Sequence, residues 1–208
     1  MTFACTQLAK NSFCILFVIT ALLISACSSG PTSNNDATPL NAKSTPLAAK
    51  DSAVYSSALA NFEKGNVKAA ATALTKITQD NPGYFDGWIN LAIANYQLKD
   101  LAAAKRALAH AQQLQATSAQ LNNIRALIST EDGQYKDAEQ LYLASLKLEP
   151  KNANTHYNLA LLYDIYYQDL PQAVAHYESY LALSSQKDEE TEAWTAELKQ
   201  KLLDRGAQ

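Results

Sequence analysis

The sequence predicts an all-α fold, and three observations predict it. From Asp51 onward alanine, leucine and tyrosine recur at helical spacing. Glycine and proline in that region fall only between the apolar runs, as punctuation. The pattern repeats with a period of 34 residues, giving four units: 51–84, 85–118, 119–152, and 153–187 with one inserted residue.

The second unit is the clearest. Trp88, Leu91, Ala92 and Tyr96 mark one helix, and Ala104, Leu108 and Ala111 mark the next. The other units keep the skeleton. The small residue of the first helix is Ala58, Ala92, Ala126 and Ala160 in turn. That of the second helix is Ala70, Ala104, Ala138 and Ala173, with Leu74, Leu108, Tyr142 and Tyr177 four residues later. Pro82 and Pro150 end the first and third units. This register resembles the tetratricopeptide repeat (W-x2-L-G-x2-Y, then A-x3-F, A and P) over about residues 51–187. The resemblance implies a right-handed α-solenoid of four helix-turn-helix units. Small residues let paired helices approach closely, and a lone hairpin cannot bury its apolar face, so hairpins must stack. Departures fall at Asn122 and His156, where an aromatic is expected, and at Ser57 and Arg125, where an aliphatic is expected.

The turns follow the same logic. Gly65-Asn66 and Gly133-Gln134 stand between helices, where a left-handed terminator is needed. Lys99-Asp100 takes that place in the second unit, with Asp100 suited to cap the following helix. In the fourth unit the extra residue lies within Tyr163–Pro171; Asp169 is the expected N-cap and Pro171 suits a first helical turn. Residues 188–208 are expected to form a capping helix over the open end of the array. Asp188, Glu189, Glu190 and Glu192 come early and Lys199, Lys201 and Arg205 late, in the order the helix dipole favours. Trp194, Leu198 and Leu202 make its apolar stripe.

The N-terminus has a different character. A short apolar run, Phe13–Leu23, follows Lys10 and ends in Ile24-Ser25-Ala26-Cys27. The run is too short to cross a bilayer, which takes about 20 residues. It resembles a bacterial lipoprotein signal peptide, although Ser25 and Ala26 would also suit ordinary cleavage. The resemblance implies that residues 1–26 are removed and that Cys27 carries covalent lipid, with no other cofactor expected. Ser28, rather than an aspartate, follows the cysteine, which by the family's sorting rule implies the outer membrane, on the periplasmic side. Cys5 and Cys14 would leave with the signal, so no internal disulfide would be available. Residues 27–50 are rich in Ser, Thr, Asn and Pro without aromatics, and read as a disordered tether.

Composition narrows function further. With 17 basic and 20 acidic residues and a net charge of −3, the chain lacks the basic footprint of a nucleic-acid binder. His110, His156 and His176 have no partner at metal-ligand spacing, and there is no nucleophile elbow, phosphate loop or C-x-x-C. No enzyme, metal site or small-molecule substrate is therefore expected. Surface recognition remains. In tetratricopeptide folds the first helix of each hairpin lines a concave groove. Carrying that over gives a peptide-binding set of Tyr55, Phe62, Ile89, Tyr96, Asn123, Leu127, Tyr157, Leu161 and Ile165, with Leu59 and Ile93 beside them. Tyr55 and Leu59 stand where a carboxylate clamp would want Lys and Asn, which favours a helix or extended peptide as the guest. The resemblance extends to pilotins and tight-adherence pilus lipoproteins. It implies a periplasmic adapter or assembly factor for an envelope complex, with an envelope scaffold for cell-wall hydrolases or β-barrel assembly as the alternative. A glycan-acting enzyme would need paired carboxylates at one cleft, which the sequence does not place.

Overall fold

The computed structural model describes residues 46–206. Cys27, the expected signal segment and all of the expected tether before residue 46 lie outside the described residues. The described residues are α-helical apart from turns and one π-helical stretch. They fall into two compact units, one ending at Ala116 and one starting at Thr117.

The first unit holds two hairpins. Helix α1 (Ala49–Glu63) pairs with α2 (Val67–Asp80), and α3 (Phe85–Gln97) pairs with α4 (Leu101–Leu114). α1 begins at Ala49, so its first two residues fall within the stretch read as tether. The second unit holds two more hairpins and a closing helix. α5 (Ala119–Glu131) pairs with α6 (Tyr135–Leu148). α7 (Ala153–Leu161) runs on as a π-helix (Leu162–Tyr167) before α8 (Leu170–Leu183), and α9 (Glu189–Gly206) packs on α8.

The alanine register explains the packing. All eight repeat alanines, Ala58, Ala70, Ala92, Ala104, Ala126, Ala138, Ala160 and Ala173, have no exposed surface. A methyl group at each position allows a close helix-to-helix approach that a longer side chain would prevent. Leu74, Leu108, Tyr142 and Tyr177 fill the adjoining space and are 5% exposed or less. Departures from the repeat have local consequences. Ser57 is exposed on α1 and Arg125 is half-buried on α5, where Leu91 and Leu159 are buried. His156 stands where the second hairpin has Trp88 and keeps its hydrogen bond. Trp88 Nε1 donates to the Pro82 carbonyl at 2.8 Å, and His156 Nε2 meets the Pro150 carbonyl at 3.1 Å.

Three of the hairpins turn in the same way. Asn66, Asp100 and Gln134 donate their backbone N–H to the carbonyl five residues back. The residue before each donates to the carbonyl three back, which is the Schellman pattern. That pattern needs a left-handed residue, met by Gly65 (φ 73), Lys99 (φ 62) and Gly133 (φ 74). The fourth hairpin closes with one residue more. Asp169 N–H reaches the Tyr163 carbonyl, six residues back, at 2.9 Å, and Gln168 (φ 53) is the left-handed residue. The inserted residue is taken up by the π-helix, whose wider turn accommodates it without breaking the backbone ladder.

The helix starts are capped where the sequence indicates and in further places. Asp100 accepts from Ala103 N at 2.8 Å and Asp169 from Gln172 N at 3.2 Å. Ser118, Asn152 and Asp188 do the same for α5, α7 and α9. Asp188, read from sequence as part of a charge cluster, is a specific cap. Its carboxylate holds Thr191 N at 2.9 Å and also accepts from the Tyr180 hydroxyl of α8 at 2.8 Å. The buried stripe of α9 is Thr191, Thr195 and Leu198. Trp194 lies at the flank and is half-buried, because its Nε1 donates to Asp164 at 2.8 Å.

Candidate functional site

The expected groove residues divide into two sets. Phe62, Ile89, Tyr96 and Tyr157 are buried, at 4%, 2%, 5% and 7% exposed, as is Ile93 at 6%. They belong to the hairpin core. A first helix packed on more than one neighbour buries more than half of its circumference, so the i, i+4 positions continue into the core. Tyr157 shows this directly, set edge-on against Tyr177 at 5.9 Å and Tyr180 at 5.0 Å, both on α8.

The remaining residues are half-buried and form a face in each unit. In the first unit the face holds Tyr55 and Leu59 of α1 and Asn90 of α3. Asn90 Nδ2 donates to the Tyr55 hydroxyl at 2.5 Å and to the Asp86 carbonyl at 3.0 Å. In the second unit the face holds Asn123 and Leu127 of α5, Asn158 and Leu161 of α7, and Ile165 of the π-helix. Asn158 Nδ2 donates to Asn123 Oδ1 at 3.3 Å. Asn90 and Asn158 occupy the same repeat position, as do Tyr55 and Asn123. Each unit therefore makes the same side-chain bond between its two first helices, which fixes polar groups among apolar ones on a part-open surface. Neither pairing is legible in the sequence, since the partners lie 35 positions apart.

Three further groupings were not legible. His156 Nδ1 and His176 Nδ1 meet at 2.9 Å across α7 and α8. A carbonyl only accepts, so His156 Nε2 carries a proton toward Pro150. In the neutral pair His176 Nδ1–H is then the donor and His156 Nδ1 the acceptor. His176 also stacks on Tyr163 at 5.7 Å, and burial, then the neighbouring His156, hold its imidazole down to about 4. Asp164 gathers Trp194 Nε1 at 2.8 Å and the Tyr177 hydroxyl at 3.5 Å, and burial pushes its carboxyl up. Ser145, fully buried, donates to the Ala119 carbonyl at 2.8 Å and lies 3.2 Å from the Thr155 hydroxyl, tying α5, α6 and α7 together.

Among the described residues no group of three or more His, Cys, Asp or Glu side chains is placed to hold a metal ion. No helix among them is long and apolar enough to cross a membrane.

The fold is that of a helical-hairpin repeat protein. Residues 61–128 match the tetratricopeptide repeat family. The structure is similar to that of pilF of Pseudomonas aeruginosa, with a TM-score of 0.62 at 21% identity over 74% of this chain and 69% of that one. It is likewise similar to a thermophilic tetratricopeptide protein of Thermus thermophilus, with a TM-score of 0.62 at 23% identity over 71% and 80%. MamA of Desulfovibrio magneticus RS-1 gives 0.54 at 16% identity over 76% and 96%. At these identities the likeness is one of fold. No curated protein matches the sequence.

Proposed function

We propose that this chain is a non-enzymatic adapter that holds a segment of a partner protein on the first-helix faces of its hairpins. The observation that carries the reading is the repeated face. Half-buried apolar side chains surround a side-chain bond that recurs at the same register in each unit, Tyr55–Asn90 and Asn123–Asn158. Apolar anchors beside fixed amide groups suit a helix or an extended peptide, whose backbone offers complementary donors and acceptors.

The rest of the proposal comes from the sequence. Cys27 behind its apolar run supports a lipid anchor in the outer membrane, with the folded part facing the periplasm. An anchored adapter of this kind acts where an envelope machine is built, and assembly of a pilus or secretion complex is the role we favour. The test is capture from membranes by the wild-type chain and by a double variant, Leu127→Glu with Leu161→Glu. These two side chains are half-buried, unlike those of Tyr96 and Tyr157, so the charges disturb the face more than the core. We expect a pilus or secretion subunit to be captured by the wild type and lost by the variant, with circular dichroism unchanged. Undiminished capture would refute the face, and recovery of a cell-wall hydrolase instead would redirect the pathway. For the anchor, Cys27→Ser should abolish incorporation of labelled fatty acid.

A further inference from the structure

The π-helix of the fourth hairpin carries a second cluster, made of side chains other than those of the faces just described. Around the π-helix four tyrosines gather. Tyr166 stacks on Tyr135 of α6 at 4.3 Å, and Tyr167 lies 5.8 Å from Tyr163. Tyr166 and Tyr167 are 40% and 38% exposed, among the more open large side chains of the described residues. Glu139 of α6 lies beside two of them, Tyr163 and Tyr167. Its Oε1 accepts from the Tyr163 hydroxyl at 2.7 Å. Burial, followed by the closeness of Glu139, pushes the phenols of Tyr163 and Tyr167 upward, which marks the carboxylate as a neighbour of both rings. Asp169 adds negative potential at Tyr163. No lysine or arginine is ion-paired with Glu139 among the described residues.

We propose that Tyr135, Tyr166, Tyr167 and Glu139, with the buried Tyr163 holding the carboxylate, form a docking surface for an arginine-bearing segment of a partner protein. Charge complementarity selects this occupant. The faces of the rings are electron-rich and attract a cation set over them. A guanidinium is planar, stacks on such a face, and presents paired N–H donors to a carboxylate at its edge. A lysine ammonium is more strongly hydrated and lacks the flat face. An acidic segment would be repelled by Glu139 and Asp169, and a purely aliphatic one would strip water from the carboxylate without replacing its hydrogen bonds. Bound cation, ring and carboxylate would together use the surface that the π-helix turns outward. It uses none of the side chains of the first-helix faces.

The test uses the full chain in detergent micelles and two short blocked peptides carrying a neutral dye, one with two arginines and one with two citrullines in their place. Binding is read by fluorescence anisotropy at low salt. We expect the arginine peptide to bind and the citrulline peptide to bind about tenfold more weakly, since citrulline keeps the shape and loses the charge. Glu139→Gln keeps an acceptor for Tyr163 and should weaken arginine-peptide binding several-fold. Tyr166→Ala with Tyr167→Ala should weaken it about tenfold; should that variant misfold by circular dichroism, Tyr166→Leu replaces it. Equal binding of the two peptides, no binding of either, or binding indifferent to Glu139→Gln would each overturn the proposal. The Leu127→Glu, Leu161→Glu variant should bind the peptide as the wild type does, which keeps this result separate from the fate of the adapter reading.

Discussion

His176 makes the second unit sensitive to acid, with a sign and size that follow from its surroundings. Its imidazole titrates at about 4 in the folded chain, against an ordinary 6.5. The folded state therefore binds fewer protons than the unfolded state between those values, and stability falls as pH falls through that window. Above about pH 7 both states hold the neutral ring and the effect vanishes. A fully shielded ring with this difference would lose about 3.4 kcal/mol at the acid limit and about 2 kcal/mol at pH 5. The ring is only half-buried, so water screens it, and about 1 kcal/mol at pH 5 is the expected loss. Burial is the main cause, and the neighbouring His156 ring, whose Nδ1 lies 2.9 Å from that of His176, adds to it. The assay is urea unfolding by circular dichroism at pH 7.5 and pH 5, for the wild type and His176→Gln. Asp86 and Asp164, whose carboxyls burial pushes up, act in the opposite direction, so the two proteins are compared at each pH. The wild type should lose about 1 kcal/mol more than the variant on going from pH 7.5 to pH 5. Equal losses in the two proteins would refute the paired-histidine account.

Other outcomes follow from single side chains. Gly133→Ala should cost about 1 kcal/mol in thermal or urea unfolding, because an added Cβ meets no atom within 4 Å and only the left-handed backbone is strained. Gln168→Gly should change stability the other way, by a few tenths to about 1 kcal/mol, since its φ of 53 disfavours a side chain. Ser145→Ala removes the bond to the Ala119 carbonyl inside the core and should cost about 1–2 kcal/mol, with the second unit unfolding earlier. Deleting residues 188–208 uncovers the α8 surface beneath Leu198 and frees Tyr180 from Asp188, and should lower the melting temperature; an unchanged melt would defeat the capping role of α9.

Much of the local structure is written in short-range pattern. The recurring alanines mark positions packed between helices, and each of the eight is fully buried. Gly65 and Gly133 mark left-handed turns because a side chain is strained at positive φ. Asp100 and Asp169 mark helix starts because a short carboxylate can reach back to an unbonded N–H. The one inserted residue was legible as an irregularity, but its resolution as a π-helix was not, since a loop could have absorbed it equally well.

The sequence by itself determined the all-α class, the repeat register, the caps and the turns, because each depends on residues within a few positions of one another. Only the tertiary structure decided which apolar side chains of a first helix stay open. Tyr96 and Tyr157 went into the core while Leu127 and Leu161 stayed half-buried, although periodicity treats them alike. Only the tertiary structure brought His156 to His176, Asp164 to Trp194 and Tyr163 to Glu139. The physical reason is that helical spacing states which way a side chain points along its own axis. What it meets there is set by the neighbouring helix, whose residues lie tens of positions away.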